Sequence, residues 1–424
     1  MKSILPEPLI PVAQAAGRAT RAGTGDAPDA RARAAAPPRA ARPLLAMLER
    51  LGHGSLALTL PDGRTLHFGR GEPRATMRLA NWSPLTATLA RGDVGFAQAW
   101  IAGDWDSDDL AAVLDLAVAN RDVLERAVYG RPWGRALARL RHLLHRNTRA
   151  GSRRNIHAHY DLGNAFYTLW LDPGMTYSSA LFGDAPELTL EAAQTAKYRR
   201  ILDELALAPG ASVLEIGCGW GGFAEHALAD GLRVTGLTLS TEQLAFARER
   251  LAAACASGQA RIALRDYRDE RGRYDGIVSI EMFEAVGEAY WPAYFAGLAR
   301  SLAPGGRAVV QTITIDESLF ERYRGGSDFI QQYVFPGGML PTPSAFEAQA
   351  RAAGLRVAGR LAFGPDYALT LRRWREAFDV RRDEVRALGY DERFMRTWSF
   401  YLAYCEAAFA HGNTDVIQFT LEHA

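Results

Sequence analysis

The segment VLEIGCGWGGF carries Glu215 and, directly after an apolar run, Gly217, Gly219, Gly221 and Gly222. Gly217 and Gly219 permit a tight turn and let backbone amides come close to a ligand, while Gly222 lets a following helix pack against a sheet. The spacing Gly217-x-Gly219-x-x-Gly222 satisfies the dinucleotide fingerprint, so a nicotinamide enzyme is one reading of it. Glu215, two residues ahead of the first glycine, can orient the loop, meet a cationic amino group of a ligand, or serve structure alone. The next apolar run ends in Gly236-Leu237-Thr238-Leu239-Ser240 with no acid at its tip to grip a ribose, although Glu242 follows closely. His157 and His159 lack a third ligand in pattern, and Cys218, Cys255 and Cys405 form no CxxC pair. No metal site is expected, and a reduced compartment fits.

A glycine loop of this kind needs a buried parallel strand in front of it and a helix behind it. From about Ala192 to Phe363 the chain supplies both. Strands are predicted at ASVLEIG, LRVTGLTL, RIALR, YDGIVSIE, RAVVQTITI and RVAGRLAF, several apolar on both faces, with helical segments such as STEQLAFARERLAAACA and PSAFEAQARAAG between them. This alternation implies an α/β fold with a doubly wound parallel sheet. Two further helices, YALTLRRWREAFDVRRDEVRALG and DERFMRTWSFYLAYCEAAFAHG, and a terminal strand TDVIQFTLEH follow.

Ahead of this region lie three others. Residues 1–42 are rich in Ala, Arg, Pro and Gly and are expected to be a disordered tail. Residues 43–120 read as a small α+β domain with a hairpin around Asp62-Gly63. Residues 121–154 hold ten arginines against Asp122 and Glu125, with Trp133, Leu137, Leu140 and Leu144 at helical spacing. That basic linker helix is either a membrane-surface element or an interdomain helix packed on protein. The 424 residues, 48% hydrophobic with a formal charge of +1, are those of an ordinary globular protein; aromatic interleaving in the basic stretch is too sparse to indicate nucleic-acid binding. No uninterrupted apolar run of about 18 residues and no leader-like start occur, so a cytoplasmic location is expected.

Five motifs in order, HYDLGNAFYTLWLDPGMTYSSALF, VLEIGCGWGGF, GLTLSTEQ, SIEMFEAVG and QTITI, make the chain similar to the cyclopropane-fatty-acyl-phospholipid synthase family of S-adenosylmethionine-dependent enzymes, which includes the mycolic acid cyclopropane synthases. The resemblance covers roughly residues 90–424. It implies a Rossmann-like methyltransferase domain over 155–424 and transfer of a methylene group to the cis double bond of an unsaturated phospholipid acyl chain. Methyl- or methylene-branched products from the same chains are the alternative. Carried over motif by motif, the cofactor contacts are Tyr177, Ser178, the loop Gly217-Cys218-Gly219, Thr238, Leu239, Gln243, Tyr267 and Ile280; Glu215 joins them by its place ahead of the loop. The resemblance also implies a bound bicarbonate as general base, held by Ser179 through its backbone, Glu284, Gln311, Ile313 and Tyr367.

Two of those five depart from the family pattern. Ser179 replaces a cysteine, a mild change if the backbone amide makes the contact. Gln311 replaces a histidine, so charge-assisted donation is lost; a polar strand-end residue satisfied by backbone is the plain alternative. Glu284 is expected to orient the base, and ring closure ranks ahead of branching. Aromatics between Phe320 and Phe335, with FPGGMLP as a lid, are expected to line an acyl tunnel. Pulling about 16 methylenes from a bilayer at roughly 0.8 kcal/mol each costs on the order of 13 kcal/mol, so the enzyme should work at the inner face of the membrane, peripherally attached. Dimerisation stays open. Because Arg135 and Arg139 flank the leucine stripe, binding to anionic vesicles should weaken with added salt and on changing both to Glu, as vesicle co-sedimentation would measure.

Overall fold

The computed structural model describes residues 37–39, 41–128 and 162–424. Most of the expected tail, the basic helix with Arg135 and Arg139, and the His157/His159 pair lie outside the described residues. The chain divides into two compact units, Met1–Arg131 and Pro132–Ala424.

The first unit builds a four-stranded sheet from β1 (Gly54–Thr59), β2 (Thr65–Arg70), β3 (Arg74–Leu79) and β4 (Trp105–Asp106), in the order β2-β1-β3-β4. The Asp62-Gly63 turn closes the β1/β2 hairpin as expected, with Gly63 at φ +85° and the Arg64 N–H donating to Asp62 Oδ1 at 3.0 Å. The strand β3, parallel to β1, was not anticipated by the sequence reading. Helices Ser83–Ile101 and Leu110–Ala119 follow. Trp105 is fully buried, stacks on Phe96 at 4.4 Å and donates its indole N–H to the Phe96 carbonyl.

The second unit is built on a seven-stranded sheet: β5 (Ser212–Ile216), β6 (Arg233–Thr238), β7 (Ala260–Leu264), β8 (Tyr274–Ile280), β9 (Leu302–Ile315), β10 (Leu355–Ala362) and β11 (Thr414–His423). Their order is β10-β11-β9-β8-β5-β6-β7. The five strands from β9 to β7 run parallel, and β11 pairs antiparallel with both β9 and β10. Successive side chains of a strand point to opposite faces. On one face Leu214, Ile277, Val310 and Phe419 pack with helices Trp291–Ser301 and Pro343–Ala352. On the other, Val213, Val278 and Val309 pack with helices Leu190–Leu205 and Gly222–Ala229. By the same alternation Gln311 and Gln418, direct partners across β9 and β11, lie on the face covered by Leu190–Leu205.

β6 lies on one side of β5 and β8 on the other, so the order in which the parallel strands are added reverses there. The crevice beyond the carboxyl ends of β5 and β8 is where an open α/β sheet accepts a ligand. Gly217 follows the first of these ends and Glu281 the second.

The turn after β8 is anchored by Phe283, which is fully buried between Trp291, Tyr294, Phe295 and Phe346 at centroid distances of 4.8 to 5.6 Å. Phe283→Ala should cost about 3–5 kcal/mol, read as a lowered urea midpoint with an unchanged m-value.

Candidate functional site

The loop after β5 turns through residues that need left-handed backbone: Gly217, Gly219 and Gly221 have φ of +84°, +50° and +85°. The N–H groups of Gly217 and Cys218 both donate to the Leu237 carbonyl at 2.9 Å, which ties the loop to the end of β6. A Cβ on Gly217 would stand 2.9 Å from Met282 Cγ, so the β5 and β8 loops approach each other as closely as glycine allows. Between them opens a cleft. Gly217, Gly219, Thr238 and Leu239 line one side, and Gln243, Tyr267, Ile280 and Glu281 also face it. Seven of these eight are residues expected to hold S-adenosylmethionine.

Other expected cofactor residues lie around this cleft. Thr238 Oγ1 donates to Gln243 Oε1 at 2.8 Å, which fixes that side chain. Tyr267 packs edge-on to Tyr294, and the neighbouring Asp266 accepts three bonds from Arg268, which commits its oxygens to protein. Cys218 is buried against Gly236. Glu215 is 3% exposed, and its Oε2 has no hydrogen-bond partner; burial pushes its carboxyl well above the usual range. Glu215 is not itself a lining residue but adjoins Ile216, which is; a buried acid left one bond short there suits a ligand carrying a cationic amino group, and on that ground the residues present fit S-adenosylmethionine.

Tyr177, Ser178 and Ser179 arrive on a loop shaped by Asp172, whose carboxylate accepts from the N–H groups of Gly174 and Thr176. Tyr177 stands among Tyr167, Trp170 and Trp374, and its hydroxyl meets that of Tyr401 at 2.7 Å. The Ser178 hydroxyl accepts from Lys197 Nζ at 2.7 Å, and the Ser178 carbonyl accepts from Gln194 at 2.8 Å. Lys197 is fully buried on helix Leu190–Leu205. Desolvation pushes its ammonium down to about 7, against the pull of Glu281, Asp172 and Glu215.

Three of the expected bicarbonate ligands do converge, but on a side chain. Glu281 Oε1 accepts from the Ser179 N–H at 2.8 Å and from Gln311 Nε2 at 2.7 Å, and Oε2 accepts from the Tyr367 hydroxyl at 2.5 Å. Burial raises the proton affinity of Glu281, opposed by the Tyr367 bond, the charge of Lys197 and the other two donors. Its backbone sits at φ +47°, a left-handed conformation that costs a side-chain-bearing residue roughly 1–2 kcal/mol. The Glu281 N–H bonded to the Gln311 carbonyl at 2.8 Å holds it there.

Glu284, expected in this cluster, is not part of it. Its Oε1 accepts from Thr312 Oγ1 at 2.8 Å and from the backbone N–H of Ile313, so Ile313 is engaged by Glu284 rather than by an anion. Every donor assigned to bicarbonate is thus already bonded to a carboxylate of the chain. These residues do not fit a bound bicarbonate, because Glu281 brings a fixed anion to the place where a diffusible one was expected. Sequence reasoning missed Glu281, although its signal was present: a second acid three residues before Glu284 in SIEMFEAVG.

The aromatic enclosure also differs from expectation. Phe329 is fully buried against Phe400, and Phe320 and Tyr323 pack on the sheet core. The FPGGMLP segment is tied down, with the Met339 N–H on the Glu284 carbonyl and the Ile315 N–H on the Pro341 carbonyl. Of the expected rings, Phe335 packs 6.1 Å from Tyr401, the hydroxyl partner of Tyr177, and further rings beside the cluster come from helices Gly364–Val380 and Glu392–Ala410: Tyr367 lies 4.4 Å from Phe409 and 6.1 Å from Trp374.

A family model described as mycolic acid cyclopropane synthetase matches residues 147–419. Tuberculostearic acid methyltransferase UfaA1 of Mycobacterium tuberculosis is 41% identical over 380 residues, covering 87% of this chain and 88% of its own. The cyclopropane-fatty-acyl-phospholipid synthase of Escherichia coli is 35% identical over 352 residues, covering 80% and 85%. Among solved structures, the cyclopropane synthase MmaA2 from Mycobacterium tuberculosis aligns with a TM-score of 0.60 at 35% identity, over 63% of this chain and 97% of that one. The mycolic acid cyclopropane synthase CmaA1 complexed with SAH and CTAB aligns with a TM-score of 0.60 at 33% identity.

Burial and the nearby Glu281 charge push Glu284 up to about 8 from an ordinary 4.5. Between those values the folded chain keeps a proton that the unfolded chain has released, so Glu284 makes stability fall as pH rises, by up to about 1.4 kcal/mol per pH unit. Glu284→Gln should remove that slope, and urea denaturation of both proteins across this range would reveal it.

Proposed function

The chain belongs to the mycolic acid cyclopropane synthetase family, and from that footing we propose an enzyme that adds a one-carbon group to the cis double bond of an unsaturated phospholipid acyl chain, with Glu281 as its built-in base. S-adenosylmethionine, when bound, supplies an electrophilic methyl group. The cleft residues Gly217, Thr238, Gln243 and Tyr267 would hold it, with Glu215 near its amino group. The observation that carries the reading is Glu281: a buried, oriented carboxylate that lines the same cleft, kept in a strained backbone conformation.

An alkene that has gained a methyl group is left as a carbocation on the neighbouring carbon. Two outcomes need the same base. If a methyl proton leaves at once, its electron pair closes a cyclopropane ring. If a hydride first shifts from the methyl-bearing carbon, the charge becomes tertiary, and loss of a methyl proton leaves a methylene branch, C=CH2, on the open chain. Either way one proton passes to Glu281 and no reductant is needed. The higher identity and longer match to a methyltransferase than to the phospholipid cyclopropane synthase put the methylene-branched product first, ahead of the ring favoured by sequence alone. The ring is the second reading, supported by the family and by the shared position of the base. Nearby rings such as Tyr177 and Trp374 can stabilise the cation by about 0.5–2 kcal/mol each. We assign the membrane contact to the basic segment from Arg131 to Arg146, on the ground that its sequence interleaves arginines with Trp133, Leu137, Leu140 and Leu144; among the described residues no helix is long and apolar enough to cross a membrane.

Lipids from cells expressing the protein should contain acyl chains one CH2 heavier than their monounsaturated precursors, absent from an empty-vector control. The two products are isomers, so proton NMR must separate vinylic methylene signals from high-field ring signals. Glu281→Gln should lower turnover at least 100-fold, in the range of a lost general base. Unchanged precursor lipids in the wild type would sink the proposal, and a fully active Glu281→Gln would remove Glu281 from it.

A further inference from the structure

Gln311 does not reach Glu281 as an isolated amide. Its Oε1 accepts from Gln418 Nε2 at 2.9 Å, and Gln418 Oε1 accepts from Arg200 Nη1 at 2.5 Å. Both glutamines are fully buried, and they face each other directly across β9 and β11. Arg200, on helix Leu190–Leu205, keeps 22% of its side chain exposed and is braced by Glu204 at 3.2 Å. Glu204 in turn accepts from Thr420 Oγ1 at 2.6 Å, two residues beyond Gln418 on the same strand.

The ends of this line dictate its direction. A guanidinium only donates, and an ionised carboxylate only accepts. With Arg200 at one end, Gln418 must turn its oxygen outward and its NH2 inward. Gln311 must then do the same, and its NH2 must point at Glu281. Reversing either amide sets acceptor against acceptor or donor against donor. Glu281 Oε1 therefore faces two donors that cannot turn away, the locked Gln311 amide and the Ser179 backbone N–H. Oε2 faces only the Tyr367 hydroxyl, which can rotate and accept.

We infer that Arg200, Gln418 and Gln311 act as a one-way hydrogen-bonded line that restricts proton uptake by Glu281 to Oε2 and draws negative charge toward Oε1. Arg200 and Gln418 are positioning residues, acting on the base through Gln311. This rests on the proposed role of Glu281 as base. The other charged or titratable groups facing Glu281 are Lys197 from helix Leu190–Leu205, Tyr367 from helix Gly364–Val380 and Glu284 from its own turn. Each stays in place when the outer end of the line is changed. Hydrogen bonds in series polarise one another, so the distant guanidinium should be felt at the carboxylate more strongly through the line than through space.

The test follows turnover against pH, with S-adenosylmethionine and vesicles of a monounsaturated phospholipid, in wild type, Arg200→Met, Gln418→Leu and Gln418→Glu. Gln418→Glu keeps size and the Arg200 contact while presenting only acceptors to Gln311, which forces that amide to reverse. Losing the line raises the proton affinity of Glu281, so the acid limb of kcat should move to higher pH. A tenfold loss on the acid side is expected for Arg200→Met and Gln418→Leu, and a larger loss for Gln418→Glu, with recovery at high pH and KM for S-adenosylmethionine within twofold of wild type. In the protein without substrate, the infrared carboxylic-acid band that disappears in Glu281→Gln should titrate with the same shifts. A uniform drop in kcat at every pH, or an unmoved limb and band in all three variants while Glu281→Gln is inactive, overturns the line and leaves the base intact. An active Glu281→Gln would instead point to failure of the reading beneath it.

Discussion

A carboxylate withdrawn from water has to be met on every side by donors or charge, and Glu281 imposes that requirement on the second unit. Its partners come from three places far apart in sequence: the loop carrying Ser179, strand β9 with Gln311, and helix Gly364–Val380 with Tyr367. None of these segments can shift without leaving a buried oxygen short of a bond. The Asp172 turn, the cross-strand pairing of β9 with β11 and the Phe283 anchor all serve to keep those donors where the acid needs them.

Charge compensation follows the same logic on a larger scale. Asp172, Glu215 and Glu281 are all felt by one buried ammonium, that of Lys197. Its depressed proton affinity says that the surroundings only partly repay the cost of burying it. Glu284 lies outside that reach and is held by neutral donors instead, one from Thr312 and one from the backbone of Ile313. Two acids three residues apart thus live in different electrostatic surroundings. One is oriented into the cleft by three donors and a cation, and the other favours its protonated form near neutrality.

The parallel strands and the glycine loop were legible in the sequence because their signals are local: apolar runs of strand length and glycines at a fixed spacing. Seven of the cofactor positions inferred from family resemblance do line one cleft. What escaped was non-local. Lys197 reads as a surface residue, since lysine is seldom buried, and only the convergence of distant acids explains its position. Glu281 sits where the backbone favours glycine, so side-chain pattern alone says nothing about its strain. The strand β3 was missed although its signal is local: RATMRL alternates polar and apolar residues and buries Ala75, Met77 and Leu79. Gln311 was recognised as the telling substitution, but its partner Gln418 is more than one hundred residues away and only the pairing of β11 with β9 brings them together.

The placement of β11 also orders the events of synthesis. It follows every other strand of its sheet in sequence yet lies between β10 and β9. A nascent chain lacking residues 414–423 would expose the backbone edges of β9 and β10 across a gap, with apolar slots left by Ile417, Phe419 and Leu421. Such an intermediate is a target for chaperones and for mispairing with another chain. Gln418 is delivered by that same strand, so the hydrogen-bonded line that reaches Glu281 through Gln311 is incomplete until β11 docks between β9 and β10.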